Sequence, residues 1–351
     1  MRWPREDLLQ LLGLRHPIIQ APMAGASTPA MAAAAANAGA LGSLGVALKS
    51  PEGAAAEIAE AMAKTNGGVN ANFFCHSPPQ NDEQTFGALR QRLAPYYAEF
   101  DLGEPPAEPS ATPPFNAEML EVVLAAAPRV ASFHFGLPDP DLLAPLKDAG
   151  IIILSSATSP AEARALEAAG ADAIIAQGWE AGGHRGVFDP ATGSGDIGTF
   201  ALVPLVADAV SVPVIAAGGI ADACGVAAAF MLGASGVQIG TAFLNTPESA
   251  VAAPHKAALM SDRATSVSAA FSGRLARGVT NRYMTEMAGV DLPDFPLINP
   301  MTGPLRAASA AEGGGDFMSL WAGQAHSLNR ETTTGALIET LAEEALKLLN
   351  P

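Results

Sequence analysis

Hydrophobic residues in this sequence are concentrated in short runs, which alanine-rich stretches of helical spacing separate. Eight runs have the length and composition of strands: HPIIQAPMA, ALGSLGV, GGVNANFF, RVASFHFG, IIILSSA, ADAIIAQG, VPVIAAGG and GVQIGTAFL. Their apolar residues mostly follow one another directly, which indicates strands buried on both faces. Because most runs are followed by a helical stretch, we expect parallel pairing through right-handed crossovers.

Eight strand–helix units place the chain in the α/β class and predict a (β/α)8 TIM barrel. An open, doubly wound parallel sheet is the alternative. The stretches IIILSSATSPAEARALEAAGADAII and VPVIAAGGIADACGVAAAFMLGASGVQI share one order of strand, turn, helix and strand and are nearly equal in length. A closed barrel is built from repeated units of one geometry, so this similarity favours the barrel.

Two segments depart from the alternation of strands and helices. Residues 75–116 contain eight prolines, a density that interrupts regular elements: Pro78, Pro79, Pro95, Pro105, Pro106, Pro109, Pro113 and Pro114. We expect an insertion after the third strand, with a helix around DEQTFGALRQRLAPYYAEF. Residues 250–351 follow the eighth strand and are mainly helical in pattern. The predicted organisation is a barrel over residues 1–249 and an extension over residues 250–351 that packs on it as a cap.

Charge and composition narrow the classes of partner. The formal net charge is −16, and an acidic chain repels nucleic acids and anionic membranes, so we expect neither as a partner. The N-terminal residues contain no apolar run long enough for a signal peptide or a membrane span. Cys75 and Cys224 show neither metal-ligand nor disulfide spacing, so no metal is expected and a reducing cytoplasm fits. The sequence is compatible with a monomer and with a homo-oligomer.

Glycines end the last two predicted strands, where barrels of this type commonly bind phosphate. Gly218 and Gly219 allow the backbone to approach a ligand closely, and a helix that starts near Ala221 would point free N–H groups at it. Gly240 and Thr241 supply further N–H groups and a hydroxyl. These residues predict a phosphate site that needs no lysine. The alternative is that the glycines only form tight turns.

Amides lie at three other strand ends that face the barrel mouth. Asn72, Gln177 and Gln238 can donate and accept hydrogen bonds without carrying charge, which suits the polar edge of a flavin. Pro22 and Met23 offer apolar surface for the flavin ring. Beside a phosphate site, this set favours flavin mononucleotide, FMN. The alternative is that buried amides merely close the strand ends.

Two histidines are candidates for chemistry. His184 follows Gly182 and Gly183 in QGWEAGGHRG, and an imidazole there could take a proton or bind an anion. His134 in SFHFG either faces the barrel interior or packs in the core. Arg185 either steers anions or is solvated. We assign no chemistry to the remaining histidines, which are His16, His76, His255 and His326.

With these residues in place, the chain resembles the nitronate monooxygenase family, also described as 2-nitropropane dioxygenase-like. The resemblance runs from about residue 16 to 244, resumes near the C-terminus, and rests on PIIQAPMAG, VNANFF, AQGWEAGGHRG, AAGGIADACGVAAAFMLGASGVQIGTAFL and WAGQ. It implies His184 as the catalytic residue and FMN on Met23, Asn72, Gln177, Gly182, Gly219, Gln238, Ile239, Gly240 and Thr241. It also implies that Trp321 and Gln324 of WAGQ reach the site. The NAN of the third strand and the long proline-rich segment depart from the family pattern and leave the pocket shape open.

The implied reaction is oxidation of an alkyl nitronate by FMN and O₂, through a flavosemiquinone, to a carbonyl compound and nitrite. His184 would orient the nitronate anion, or abstract the α-proton where the neutral nitroalkane is the substrate. One alternative is an NAD(P)H-dependent FMN reductase that acts on a quinone or an enoyl thioester. Another is a flavin-binding protein without turnover. AGGHRG resembles the nitronate branch more than the quinone reductases, which have a cysteine-alanine-glycine-histidine-proline pattern there.

Overall fold

Two sheets organise the computed structural model of this chain, which describes residues 1–80, 82–108, 110–191, 193 and 195–351. Pro109 of the predicted insertion lies outside the described residues. The strands are β1 (Ile18–Gln20), β2 (Gly42–Gly45), β3 (Val69–Phe74), β4 (Val130–His134), β5 (Ile152–Ala157), β6 (Ala173–Gln177), β7 (Gly183–His184), β8 (Val214–Ala217), β9 (Gly236–Ile239), β10 (Thr265–Ser268) and β11 (Ala276–Val279).

Eight of these strands form a parallel barrel in the order β1-β9-β8-β6-β5-β4-β3-β2. The ring closes where Leu41, directly before β2, bridges Ile19 of β1 in parallel. All eight predicted strands are present, and the predicted (β/α)8 barrel is confirmed over the alternative of an open sheet. The seventh and eighth predicted strands are β8 and β9.

The helices are α1 (Asp7–Leu12), α2 (Pro29–Asn37), α3 (Pro51–Ala63), α4 (Glu83–Glu99), α5 (Ala117–Ala126), α6 (Pro140–Asp148), α7 (Pro160–Ala168), α8 (Thr199–Ala207), α9 (Ala223–Met231), α10 (Ala253–Leu259), α11 (Arg282–Glu286), α12 (Asn299–Ala311) and α13 (Thr334–Leu349). Three barrel helices begin with proline directly after a capping hydroxyl, from Thr28, Ser50 and Ser159.

In the part of the chain that the structure describes, no helix is long and apolar enough to cross a membrane.

The insertion and the extension share a core of their own beside the barrel. Helix α4 of the insertion packs Leu93 and Tyr97 with Phe271 and Tyr283 of the extension. The Tyr97 hydroxyl donates to the carbonyl of Met301 in α12 at 2.7 Å. The insertion therefore packs against the extension and stabilises it. The sequence did not predict this contact.

The extension also contributes strands, which the mainly helical pattern did not predict. β10 and β11 form an antiparallel pair, and β11 pairs antiparallel with β7. In this register Ala276 lies opposite His184. The two-residue strand β7 is too short to leave a periodic signal, and its partner is remote in sequence. The extension thus pairs directly with the loop of residues 178–186, which follows β6 and carries His184 and is called the histidine loop below.

Candidate active site

A cavity of about 540 Å³ opens at the C-terminal ends of the barrel strands. Most of the predicted site residues line it: Met23, Asn72, His134, Gln177, Gly182, His184, Gly218, Gly219, Gln238, Gly240, Thr241 and Trp321. Among the predicted site residues, the cavity therefore combines residues from six barrel strand ends with Trp321 of the extension.

Two predicted residues, Ile239 and Gln324, lie outside the cavity lining. The side chain of Ile239 is 1% exposed and packs in the core. This follows from strand geometry, because successive side chains point to opposite faces and Gln238 takes the cavity side. Gln324 is exposed, and its backbone N–H donates to the carbonyl of Glu180. Neither side chain is placed to touch a ligand in the cavity.

The glycine turns after β8 and β9 form a cradle of unused N–H groups. Gly218 and Gly219 have φ of 105° and 73°, in the left-handed region that favours glycine. Within the described residues, the N–H groups of Gly219, Ile220 and Gly240 donate to no protein atom. The Thr241 hydroxyl accepts from a backbone N–H of the extension at 2.9 Å and keeps its own proton to donate. Such a set of donors suits an anion.

The helix after this turn contributes less than the sequence predicted. Helix α9 begins at Ala223 instead of near Ala221, and Asp222 is its N-cap. The Asp222 side chain accepts from the N–H of Gly225 at 2.8 Å, so the chain itself satisfies part of the helix N-terminus. The donors available to an anion therefore come mainly from the turns.

Two of the predicted ligand-binding amides also hold the protein itself. The Nε2 group of Gln177 donates to the carbonyl of His184 at 3.0 Å, and Oε1 accepts from Gly186 N–H at 2.7 Å. Gln177 thus ties down both sides of the histidine loop. Asn72 Nδ2 donates to Ser132 Oγ at 2.9 Å. Both amides keep some hydrogen-bonding capacity for a ligand, but much of it is already used.

Gln238 differs from these two amides. Its Oε1 atom is buried and has no hydrogen-bond partner among the described residues, although the residue lines the cavity. A buried acceptor without a donor is destabilising. A ligand that presents an N–H group at this place would satisfy it.

The charge of the cavity is opposite in sign to that of the chain. Among the described residues that line it there is no aspartate or glutamate, whereas Lys49 and Arg306 are basic. Lys49 is paired with Glu57 at 2.6 Å. Arg306 donates to the carbonyl of Asn299 at 3.0 Å and forms no salt bridge in the described part of the chain. Sequence analysis missed Arg306, because only the packing of α12 brings it to the barrel mouth. The charge of the lining therefore suits an anion better than a cation.

His184 lies half-buried in the wall of this cavity. Its Nε2 atom lies 2.8 Å from Ser272 Oγ. Aromatic rings surround the imidazole at centroid distances of 5.4 to 6.2 Å: Phe74, Phe135, Phe295 and Trp321. Burial, with smaller contributions from His134 and Arg274, lowers the pKa of His184 to about 3. The imidazole is therefore neutral near pH 7 and can accept a proton.

Glycine occupies the two positions before His184 for two different structural reasons. A Cβ atom on Gly182 would lie 2.5 Å from the backbone of Ala322 and Gly323, so only glycine lets the loop touch the extension. Gly183 has a φ of 72° and open space around it. Gly182 therefore contacts the WAGQ segment closely and also lines the cavity.

His134 lines the cavity and also positions the loop. Its Nε2 group donates to the carbonyl of His184 at 3.1 Å, so Nδ1 accepts from the Ser156 hydroxyl at 3.0 Å. Burial lowers the pKa of His134 to about 3. His134 was predicted either to face the barrel interior or to pack in the core. It does both in part, because it is hydrogen-bonded like a core histidine and also lines the cavity.

These lowered pKa values predict an acid-sensitive fold. Between pH 6.5 and 3 an unfolded chain protonates His134, and the folded chain does not. The free energy of unfolding is therefore highest above pH 6.5. It decreases as the pH falls towards 3, by up to about 1.4 kcal/mol per pH unit per histidine. Urea unfolding of wild-type protein and His134→Gln over this range should give a smaller slope of unfolding free energy against pH for the variant. Equal slopes would contradict the assignment.

Two other residues depart from expectation. His255, to which we assigned no chemistry, lines the cavity and donates from Nε2 to the carbonyl of Trp321 at 3.0 Å. Arg185 neither steers anions nor is solvated. It is 1% exposed and donates to the carbonyls of Gly178 at 2.8 Å and Gln177 at 3.0 Å. Both side chains anchor the backbone around the site.

Comparison with known proteins identifies similar chains over nearly the whole length. The family model described as nitronate monooxygenase matches residues 5–344. A nitronate monooxygenase from Pseudomonas aeruginosa is 46% identical over 342 residues, which are 95% of this chain and 97% of the relative. A nitroalkane oxidase structure from Streptomyces ansochromogenes has a TM-score of 0.88 at 39% identity and covers 97% of this chain and 98% of its own. FabK from Thermotoga maritima has a TM-score of 0.74 at 29% identity, with 99% and 98% covered.

Proposed function

Because this chain belongs to the nitronate monooxygenase family and is an oxidoreductase, we propose that it oxidises alkyl nitronates with FMN and O₂ to carbonyl compounds and nitrite. The observation that carries the proposal is the cavity itself. It combines a cradle of free N–H groups, a neutral histidine and no acidic lining residue in the described chain. An anionic cofactor and an anionic substrate both suit such a cavity.

The donors and acceptors of the cavity fit FMN. The turns at Gly219 and Gly240 offer N–H donors to one phosphate group. The unpartnered Oε1 of Gln238 can accept from an N–H of the flavin ring system. Met23 adds apolar lining. When bound, FMN would supply electron transfer from the substrate to O₂.

The remaining lining residues suit a nitronate. The Arg306 guanidinium is a cation without a salt bridge in the described chain, and it can bind a nitronate oxygen. Phe74 and Trp321 offer apolar surface for the alkyl group. With a neutral nitroalkane, the unprotonated His184 imidazole in the cavity wall would take the α-proton.

A second candidate is an NAD(P)H-dependent reductase of enoyl thioesters or quinones. The similarity to FabK favours it, at 29% identity and a TM-score of 0.74. The sequence contains no second glycine-rich strand-to-helix turn with an acidic partner for a ribose. The nitronate proposal is therefore the stronger of the two.

Spectra of the purified holoprotein without air test the two candidates. We expect excess ethylnitronate to remove the absorbance of the oxidised flavin, and NADH or NADPH to leave it unchanged for minutes. Acid release and chromatography should identify the flavin as FMN. Rapid bleaching by NADH without a response to nitronate would favour the reductase. No response to any of these compounds would indicate a binding protein without turnover.

A further inference from the structure

We propose that Ser272 is a positioning residue that holds the His184 imidazole in its Nε2–H tautomer, so that Nδ1 is the atom that takes the substrate proton. This inference rests on the proposed function for its chemical meaning. The geometry behind it does not depend on that function.

The backbone places the Ser272 hydroxyl firmly. The residue is 1% exposed and lies in the connection between β10 and β11. On one side its N–H donates to the carbonyl of Ala269. On the other side Gly273 has a φ of 88° and packs closely against the carbonyl of Pro293. The pairing of Ala276 with His184 aligns this connection with the imidazole.

The hydrogen bonds around the Ser272 hydroxyl indicate which tautomer His184 adopts. The Ser272 hydroxyl has one proton and two acceptors within reach, His184 Nε2 at 2.8 Å and the carbonyl of Arg274 at 3.3 Å. If the proton goes to His184, the buried Arg274 carbonyl has no donor among the described residues. If it goes to the carbonyl, Ser272 Oγ accepts from Nε2–H and all three groups are satisfied. The second arrangement is favoured, because buried polar groups without partners are destabilising.

The other ring nitrogen is then free for chemistry. His184 Nδ1 has no protein partner within the described chain, and the residue lines the cavity. In the proton step the substrate C–H bond breaks, its electron pair remains on the substrate as the nitronate, and the proton goes to Nδ1. The resulting imidazolium keeps its Nε2–H bond to Ser272, which becomes charge-assisted. Because no carboxylate lines this cavity among the described residues, that bond matters more than it would beside an acid.

Kinetics on paired substrates test this role. We expect Ser272→Ala to lower kcat/KM for nitroethane by about 10- to 100-fold, the cost that is typical when the partner that orients a metal-bound histidine is removed. Preformed ethylnitronate, which needs no proton removed, should lose less than about threefold. The deuterium isotope effect on nitroethane oxidation should rise, and Ser272→Thr should restore part of the loss. Ser268→Ala, in the same hairpin without contact to His184, is the matched control and should keep the wild-type ratio.

A spectroscopic readout does not depend on activity. In ¹⁵N-histidine-labelled wild-type protein, the His184 signals, assigned by their absence in His184→Asn, should show a protonated Nε2 and an unprotonated Nδ1. Ser272→Ala should mix the two tautomers. A protonated Nδ1 in the wild type would overturn the proposal, whether or not any variant folds. Equal losses on both substrates, or no loss, would also overturn it. Lack of wild-type activity on either substrate would instead refute the proposed function and leave the tautomer result standing.

Discussion

Replacing His184 with asparagine is expected to lower kcat/KM for a neutral nitroalkane by about 10²- to 10⁴-fold, the usual contribution of a general base. Asparagine retains a polar group of similar size but cannot accept the α-proton. His184 is not part of the N–H cradle after β8 and β9, so the variant should keep its FMN. The ring packs among four aromatic side chains, and no carboxylate lines the cavity among the residues that the structure describes. The loss should therefore reflect the missing base.

The matched measurement is the same variant on preformed nitronate. Because this anion has already lost its α-proton, its oxidation should fall much less. His16→Asn makes the same chemical exchange at a histidine outside the cavity lining and should behave as wild type. Equal losses on both substrates would assign His184 to substrate binding, and no loss on either would remove it from the reaction.

Replacing Gly240 with aspartate is expected to weaken FMN binding by about 10³-fold. Gly240 has a φ of −111°, which other residues adopt without strain. A Cβ atom there would lie 3.5 Å from both Ala21 Cβ and Met23 Sδ, an ordinary contact distance. A carboxylate about 4 Å from the phosphate, at an effective dielectric of about 20, costs about 4 kcal/mol. This corresponds to about three powers of ten in Kd.

The neutral variant Gly240→Asn has the same shape and is the control for charge. It should retain most FMN affinity, measured by titration of the apoprotein with FMN and followed by flavin fluorescence. Gly219 is a poorer position for the test, because its φ is 73° and an added Cβ would lie 3.2 Å from Glu180 Cβ. Wild-type affinity in the folded aspartate variant would show that the phosphate binds elsewhere.

Much of the fold could be read from local patterns. The eight buried strands, the proline-started helices and the glycines at 218 and 219 each leave a signal within a few consecutive residues. Once the strands form a barrel, their C-terminal ends must meet at one mouth. That geometry alone brings Met23, Gln238 and Gly240 together in the cavity.

The contacts that the predicted residues make could not be predicted from local sequence patterns. Gln177 was expected to face a flavin, and its amide also holds both sides of the histidine loop. Arg185 reads as a surface cation beside His184, yet it is 1% exposed and binds backbone carbonyls. A side chain's type shows which bonds it can make. Its neighbours decide which of those bonds it does make.

The sequence by itself therefore determined the barrel, the position of its mouth and the candidate base, because these depend on local periodicity and on strand order. Only the tertiary structure decided what surrounds that base. Ser272 lies 88 residues from His184 in sequence, and Arg306 reaches the same cavity from α12. Such contacts depend on how the extension packs on the barrel through its strand pairing and shared core. That packing leaves no periodic pattern near either residue, so no local reading of the chain could locate them.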